Sequence, residues 1–149
     1  MRAGIVRINV YCMTEGIHGG IIRALREKGY TQADLKAAMH SCGSVRAVLD
    51  DLIDTGLDIL QNVQVMAAGM DPTELKREFG EHLTFYGSMD TQEVLPLGSS
   101  DDVRREARRL IQIFGKGGHF VFCTTHFLMD DVTVENVLAM HDEIKQYRP

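Results

Sequence analysis

Apolar positions in this chain recur at two alternating periods. Val45, Val48, Leu49, Leu52 and Ile53 fall three and four residues apart, which places them on one stripe of a helix. Ser44 stands where it can cap that helix, and Gly56 suits the left-handed position after it. A short strand, Asp58-Ile59-Leu60-Gln61, follows. The next helix opens at Asp71-Pro72-Thr73-Glu74, with Asp71 as N-cap and Pro72 as first helical residue, and ends at Gly80. Leu83 to Tyr86 makes another strand. A third helix starts near Ser100 with Val103, Ala107, Leu110, Ile111 and Phe114 on one face and stops at Gly115. Phe120 to Thr124 is the last strand, and a helix from about Val134, carrying Val137, Leu138 and Ile144, runs to near Tyr147.

Strands alternating with helices of this length imply βαβ units, a parallel sheet and right-handed crossovers. Strands that are mostly apolar without strict alternation fit a sheet covered on both faces. The first 35 residues are less regular. A strand is expected at Ile5 to Tyr11, then a helix carrying Ile21, Ile22 and Leu25 with Gly29 as its stop. Thr31-Gln32-Ala33-Asp34 has the form of a capping box, so local propensity favours a helix through Met39. A parallel barrel would instead need a strand at Ala37 to Ser41, and that strand is the one expected here, on the resemblance described below.

Composition alters this picture little. At 149 residues, with 44% hydrophobic and 25% charged residues, the chain reads as one globular domain, 1–149. No apolar run reaches the roughly 18 residues of a membrane span, and the start has no signal-peptide pattern, so a cytoplasmic protein is expected. A net charge of −5 without a basic stripe argues against a nucleic-acid partner. Arg104, Arg105, Arg108 and Arg109 are interleaved with Asp101, Asp102 and Glu106, the pattern of a solvated helix face. Three cysteines, Cys12, Cys42 and Cys123, are too scattered for a disulfide framework.

The chemistry concentrates at His40-Ser41-Cys42-Gly43. Residues two apart on a strand point the same way, and an imidazole and a thiolate so placed can share one tetrahedral zinc ion. Alone, such a pair is more often a packed cysteine beside a polar histidine. A third ligand could come from Cys123 or His126 at the last strand's end. If Phe122, Thr124 and His126 point into the barrel, Cys123 turns to the helix layer as a structural thiol, leaving His126 the better ligand. Asn62, Gln64 and Asp90 follow strands, where a parallel barrel builds its active face, and are candidates for substrate contact or for bonding loop backbone. Gly117-Gly118 precede their strand and read as a turn rather than a phosphate loop.

These blocks, His40-Ser41-Cys42-Gly43-Ser44-Val45, Asp58-Ile59-Leu60 with Asn62-Val63-Gln64, Met70-Asp71-Pro72, Leu75-Lys76, Phe79-Gly80, Asp90-Thr91-Gln92 and Glu135-Asn136-Val137, resemble the uroporphyrinogen decarboxylase superfamily in order and spacing. The resemblance covers residues 36–147 and implies the C-terminal half of a (β/α)8 TIM barrel, about four βα units with parallel strands. Decarboxylases of that superfamily need no cofactor. Its corrinoid-linked methyltransferases transfer methyl groups to thiols and use zinc held by a His-x-Cys pair and a third ligand at the end of the last strand. His40 and Cys42 match the pair. His126 falls in the third ligand's column, where the methyltransferases usually carry cysteine and the decarboxylases histidine. The catalytic aspartate and carboxylate-gripping arginines of the decarboxylases lie in a barrel half without a counterpart here.

Three readings follow from the resemblance. The first is a methyltransferase-like protein with zinc on His40, Cys42 and His126, a corrinoid or a corrinoid protein as methyl donor, and a small-molecule thiol as acceptor. The second is a decarboxylase-like protein binding a tetrapyrrole without metal. The third is a non-catalytic half barrel. A closed barrel takes roughly 200 residues or more, so the chain is expected to be a truncated product or to complete its barrel as a homo-oligomer.

Overall fold

In the computed structural model, which describes residues 8–10, 23–24, 27–30 and 36–147, five short strands lie side by side in the order of the sequence. They are β1 (Ile8–Val10), β2 (Ala37–His40), β3 (Ile59–Gln61), β4 (Thr84–Met89) and β5 (Phe120–Thr124), and every neighbouring pair is parallel. Helices fill the connections: α1 (Leu49–Asp54), α2 (Pro72–Phe79), the single turn α3 (Val94–Leu97) and α4 (Ser100–Phe114). After β5 comes α5 (Val134–Gln146). The arrangement is that of a partial (β/α)8 barrel. No helix among the described residues is long and apolar enough to cross a membrane. Cys12, Thr31 to Asp34, and Ile21, Ile22 and Leu25 of the expected first helix lie outside the described residues.

Helix α4 shows how the sequence builds the core. Its five expected apolar residues are all buried, and Phe114 packs on Phe85 and Phe120 with ring centroids at 4.9 and 5.1 Å. Ser99 and Asp102 cap its start reciprocally, each side chain bonding the other's backbone N–H. Asp71 caps α2 by accepting from the N–H groups of Thr73 and Glu74. The α4 arginines are paired: Arg104 with Asp101, Arg105 with Asp102, Arg109 with Glu106, and Arg108 across to Glu143 on α5.

Residues opposite one another in parallel strands share a face. Met39, Leu60, Phe85 and Phe120 form one such row and turn toward the helices. His40, Gln61, Tyr86 and Val121 form the next row, on the inner face, where each is at least partly exposed.

Three expectations are corrected here. Phe122 packs with Phe120 against the core on the helix side, so Cys123 lies on the inner face instead of the helix layer. Two rings remove far more apolar area from water than one thiol does, and they decide which way β5 faces. Ser44 does not cap a helix: the chain passes Gly43 at φ +83°, makes a 3-10 turn at Arg46–Val48, and enters α1 with no side-chain cap. On α5 the buried residues are Asn136, Ala139 and Glu143, while Leu138 is exposed. Asn136 donates to the carbonyls of Leu95 and Gly98, and Glu143 takes both prongs of Arg108, so polar pairing rather than an apolar stripe orients this helix.

Candidate functional site

Strand β2 delivers His40 at its C-terminal end, and Cys42 follows two residues later in the turn that Gly43 completes. Cys42 Sγ lies 3.7 Å from His40 Nε2. At the end of β3, the N–H groups of both Asn62 and Val63 donate to the Tyr86 carbonyl, at 2.8 and 3.4 Å. Two successive donors on one acceptor bend the strand end, and Asn62 takes φ +74°. Its buried side chain donates from Nδ2 to Cys42 Sγ at 3.1 Å.

Gln64 grips the same turn through its backbone. Its Oε1 accepts the Gly43 N–H at 2.8 Å, and its Nε2 donates to Gln92 Oε1 at 2.9 Å. Gly87, at φ +118°, passes so close to β3 that a Cβ there would stand 3.3 Å from the Val63 nitrogen. Ser88 follows at φ +92°, fully buried, and its hydroxyl has no hydrogen-bond partner among the described residues. Backbone in sparsely populated conformations thus gathers at the C-terminal ends of β3 and β4, as functional sites commonly require.

These strand ends surround a cavity of about 260 Å³. Cys42, Asn62 and Gln64 line it, with Thr91, Gln92 and Thr125, and His126, Phe127 and Met129 complete its wall. None of these lining residues is Lys, Arg, Asp or Glu. The Thr91 and Thr125 hydroxyls lie 3.1 Å apart and join the β4 and β5 loops. Cys123, on the inner face, has its thiol pushed up by burial, partly offset by a hydrogen bond from the Tyr86 side chain.

Of the residues expected at the site, His40, Cys42, Asn62 and Gln64 come together. Asp90 reaches the same end of the sheet, but its buried carboxylate accepts the N–H groups of Gln92, Glu93 and Val94 and is not part of the cavity wall. His126 lines the cavity, with its ring edge-on to Phe127. Among the described residues no group of three or more His, Cys, Asp or Glu side chains is gathered as for a metal. The cavity also recruits Thr91, Gln92, Thr125, Phe127 and Met129, which lie just past β4 and β5. Extending each strand's end by a few residues is the sequence signal that finds them.

The His40–Cys42 pair has the spacing of two zinc ligands. Bond lengths near 2.3 Å to sulfur and 2.0–2.1 Å to nitrogen, at a tetrahedral angle, put the two donors about 3.6 Å apart. The observed 3.7 Å fits one edge of that tetrahedron.

A family model described as uroporphyrinogen decarboxylase matches residues 18–147. The uroporphyrinogen decarboxylase of Mannheimia succiniciproducens is 30% identical over 103 residues, a match that covers 66% of this chain and 26% of the relative. That of Thioalkalivibrio sulfidiphilus is 29% identical over 102 residues, with the same coverage. The chain spans about a quarter of the length of these curated relatives. A methyltransferase from Methanosarcina mazei superposes with a TM-score of 0.61 at 20% identity, over 80% of this chain and 36% of that one, a likeness of fold.

Proposed function

The chain belongs to the uroporphyrinogen decarboxylase family, and on that premise we propose that it is a methyltransferase-like member in which His40 and Cys42 hold zinc. The 3.7 Å separation of His40 Nε2 and Cys42 Sγ, with Cys42 in the wall of the cavity, is the observation that carries this reading. His126, in the same wall, is assigned as the third donor and would have to turn toward the pair when metal binds, because the three side chains are not gathered around one point here. Zinc, when bound, would supply the Lewis acidity that turns a substrate thiol into a thiolate near neutral pH. The methyl acceptor is then a small-molecule thiol, and the donor a corrinoid, free or carried by a corrinoid protein. The Thr91, Thr125 and Gln92 side chains offer hydrogen bonds to orient the acceptor.

Metal analysis of the pure full chain tests this. Near-stoichiometric zinc that disappears in Cys42→Ala is expected. Less than about a tenth of an equivalent, unchanged in Cys42→Ala, would sink the reading.

A second reading, tetrapyrrole binding without metal, is favoured by the two decarboxylase relatives. A third reading, a non-catalytic protein that associates with a second copy, draws on the inner face, where Val121 on edge strand β5 is 43% exposed.

A further inference from the structure

We infer that Asn62 is a positioning residue, which holds the Cys42 sulfur on His40 rather than contacting substrate. Two features of the site point to this. The Asn62 side chain is buried, and its amide hydrogen is directed at Cys42 Sγ, at 3.1 Å. The backbone that carries it is held at φ +74° by paired donation to the Tyr86 carbonyl, a conformation that asparagine adopts more readily than most residues.

Geometry makes the role necessary. Cys42 is exposed and lies in a turn past the end of β2, so the strand alone does not set its side-chain angle. Asn62 grips the turn by the sulfur, and Gln64 grips it one residue later by the Gly43 N–H. Both anchors come from the end of β3, which pairs with β2 through His40 and Gln61. The donor pair and its supports are therefore tied together across two neighbouring strands. Partners of this kind fix the orientation of a metal ligand and leave the metal itself untouched.

The role as a metal-site support rests on the zinc reading above, and the test separates the two. Asn62→Gly keeps the backbone conformation and removes the amide, and Asn62→Asp keeps size and backbone tolerance but offers no N–H. Cobalt(II) titration of the full chain reads the sulfur–metal charge-transfer band, with Cys42→Ala as the blank. Both variants are expected to bind cobalt about 10–100-fold more weakly than the parent protein, with unchanged far-ultraviolet circular dichroism. Affinity within twofold of the parent in Asn62→Gly overturns the inference. If the parent binds no cobalt, the zinc reading falls, and couplings that report the Cys42 χ1 angle in the metal-free chain decide the positioning role. One rotamer in the parent that becomes averaged in Asn62→Gly upholds it, and an unchanged coupling overturns it.

Discussion

Asp58 closes on Ala37 from two directions. Its backbone N–H donates to the Ala37 carbonyl at 3.0 Å, and its carboxylate accepts the Ala37 N–H at 2.9 Å. The other carboxylate oxygen takes Lys36 Nζ at 3.0 Å. This clasp starts β2 in register with β3, and β2 in turn carries His40. Asp58→Ala leaves a buried N–H without its acceptor and should cost about 1–3 kcal/mol, most of it from that donor, because Lys36 is largely exposed. Urea denaturation measures the loss. Zinc affinity should fall with it, and an undiminished affinity would mean that the register of β2 does not depend on Asp58.

His126 is assigned as third zinc ligand by the proposed function, and a substitution separates it from the pair. His126→Ala should lower zinc affinity at least about tenfold while Cys42→Ala abolishes binding. An affinity that His126→Ala leaves unchanged removes this residue from the ligand set and leaves His40 and Cys42 as the recognised donors.

Burial raises the Cys123 thiol above the usual cysteine range, so the folded chain keeps a proton that the unfolded chain gives up. The contribution of this group to stability is therefore full below the ordinary thiol value and is lost as pH rises from there through the raised value. In a Cys12→Ser, Cys42→Ser background, iodoacetamide should modify Cys123 with a pH midpoint above that of a free thiol. Tyr86→Phe, which removes a hydrogen bond that favours the thiolate, should move the midpoint higher still. An ordinary midpoint in both proteins would contradict the burial of this sulfur.

Asn136 joins α5 to α3 and the start of α4, with its amide on the Leu95 and Gly98 carbonyls and its oxygen accepting from the Ser100 hydroxyl at 3.0 Å. Asn136→Leu fills the same space but strands those groups, and should cost about 1–3 kcal/mol of stability. Thermal unfolding of the two proteins side by side checks this. Equal melting temperatures would show that water or rearranged backbone takes over the bonds.

Much of the fold was legible because burial leaves a periodic trace. The stripe of α4, the Asp71 cap and the strands after each helix follow from side-chain spacing alone. Strand β2 was legible only through the family resemblance, since alanines and Lys36 carry no strand preference and the Asp58 clasp that holds it comes from a distant position. Helix α5 misled in its detail, because Asn136 and Glu143 are buried through hydrogen bonds and an ion pair, which leave no apolar stripe. The direction of Cys123 turned on a competition between alternate residues that the Phe114 contacts resolve in favour of Phe120 and Phe122. At the site, the His40–Cys42 spacing was readable. The role of Asn62 was not, because it depends on a strand-end bend that the Tyr86 carbonyl imposes.

The strand order has a consequence for how the chain acquires its structure. Each strand's neighbour in space is also its neighbour in sequence, and from β2 to β5 no pairing waits on the closure of a loop longer than its own helical connection. Assembly can proceed by stepwise addition, each new unit docking on the one before, and such local connectivity favours fast folding. Strand β2, with His40 at its end, lies between β1 and β3, so the donor pair stands on a strand held from both sides by its neighbours in the sequence.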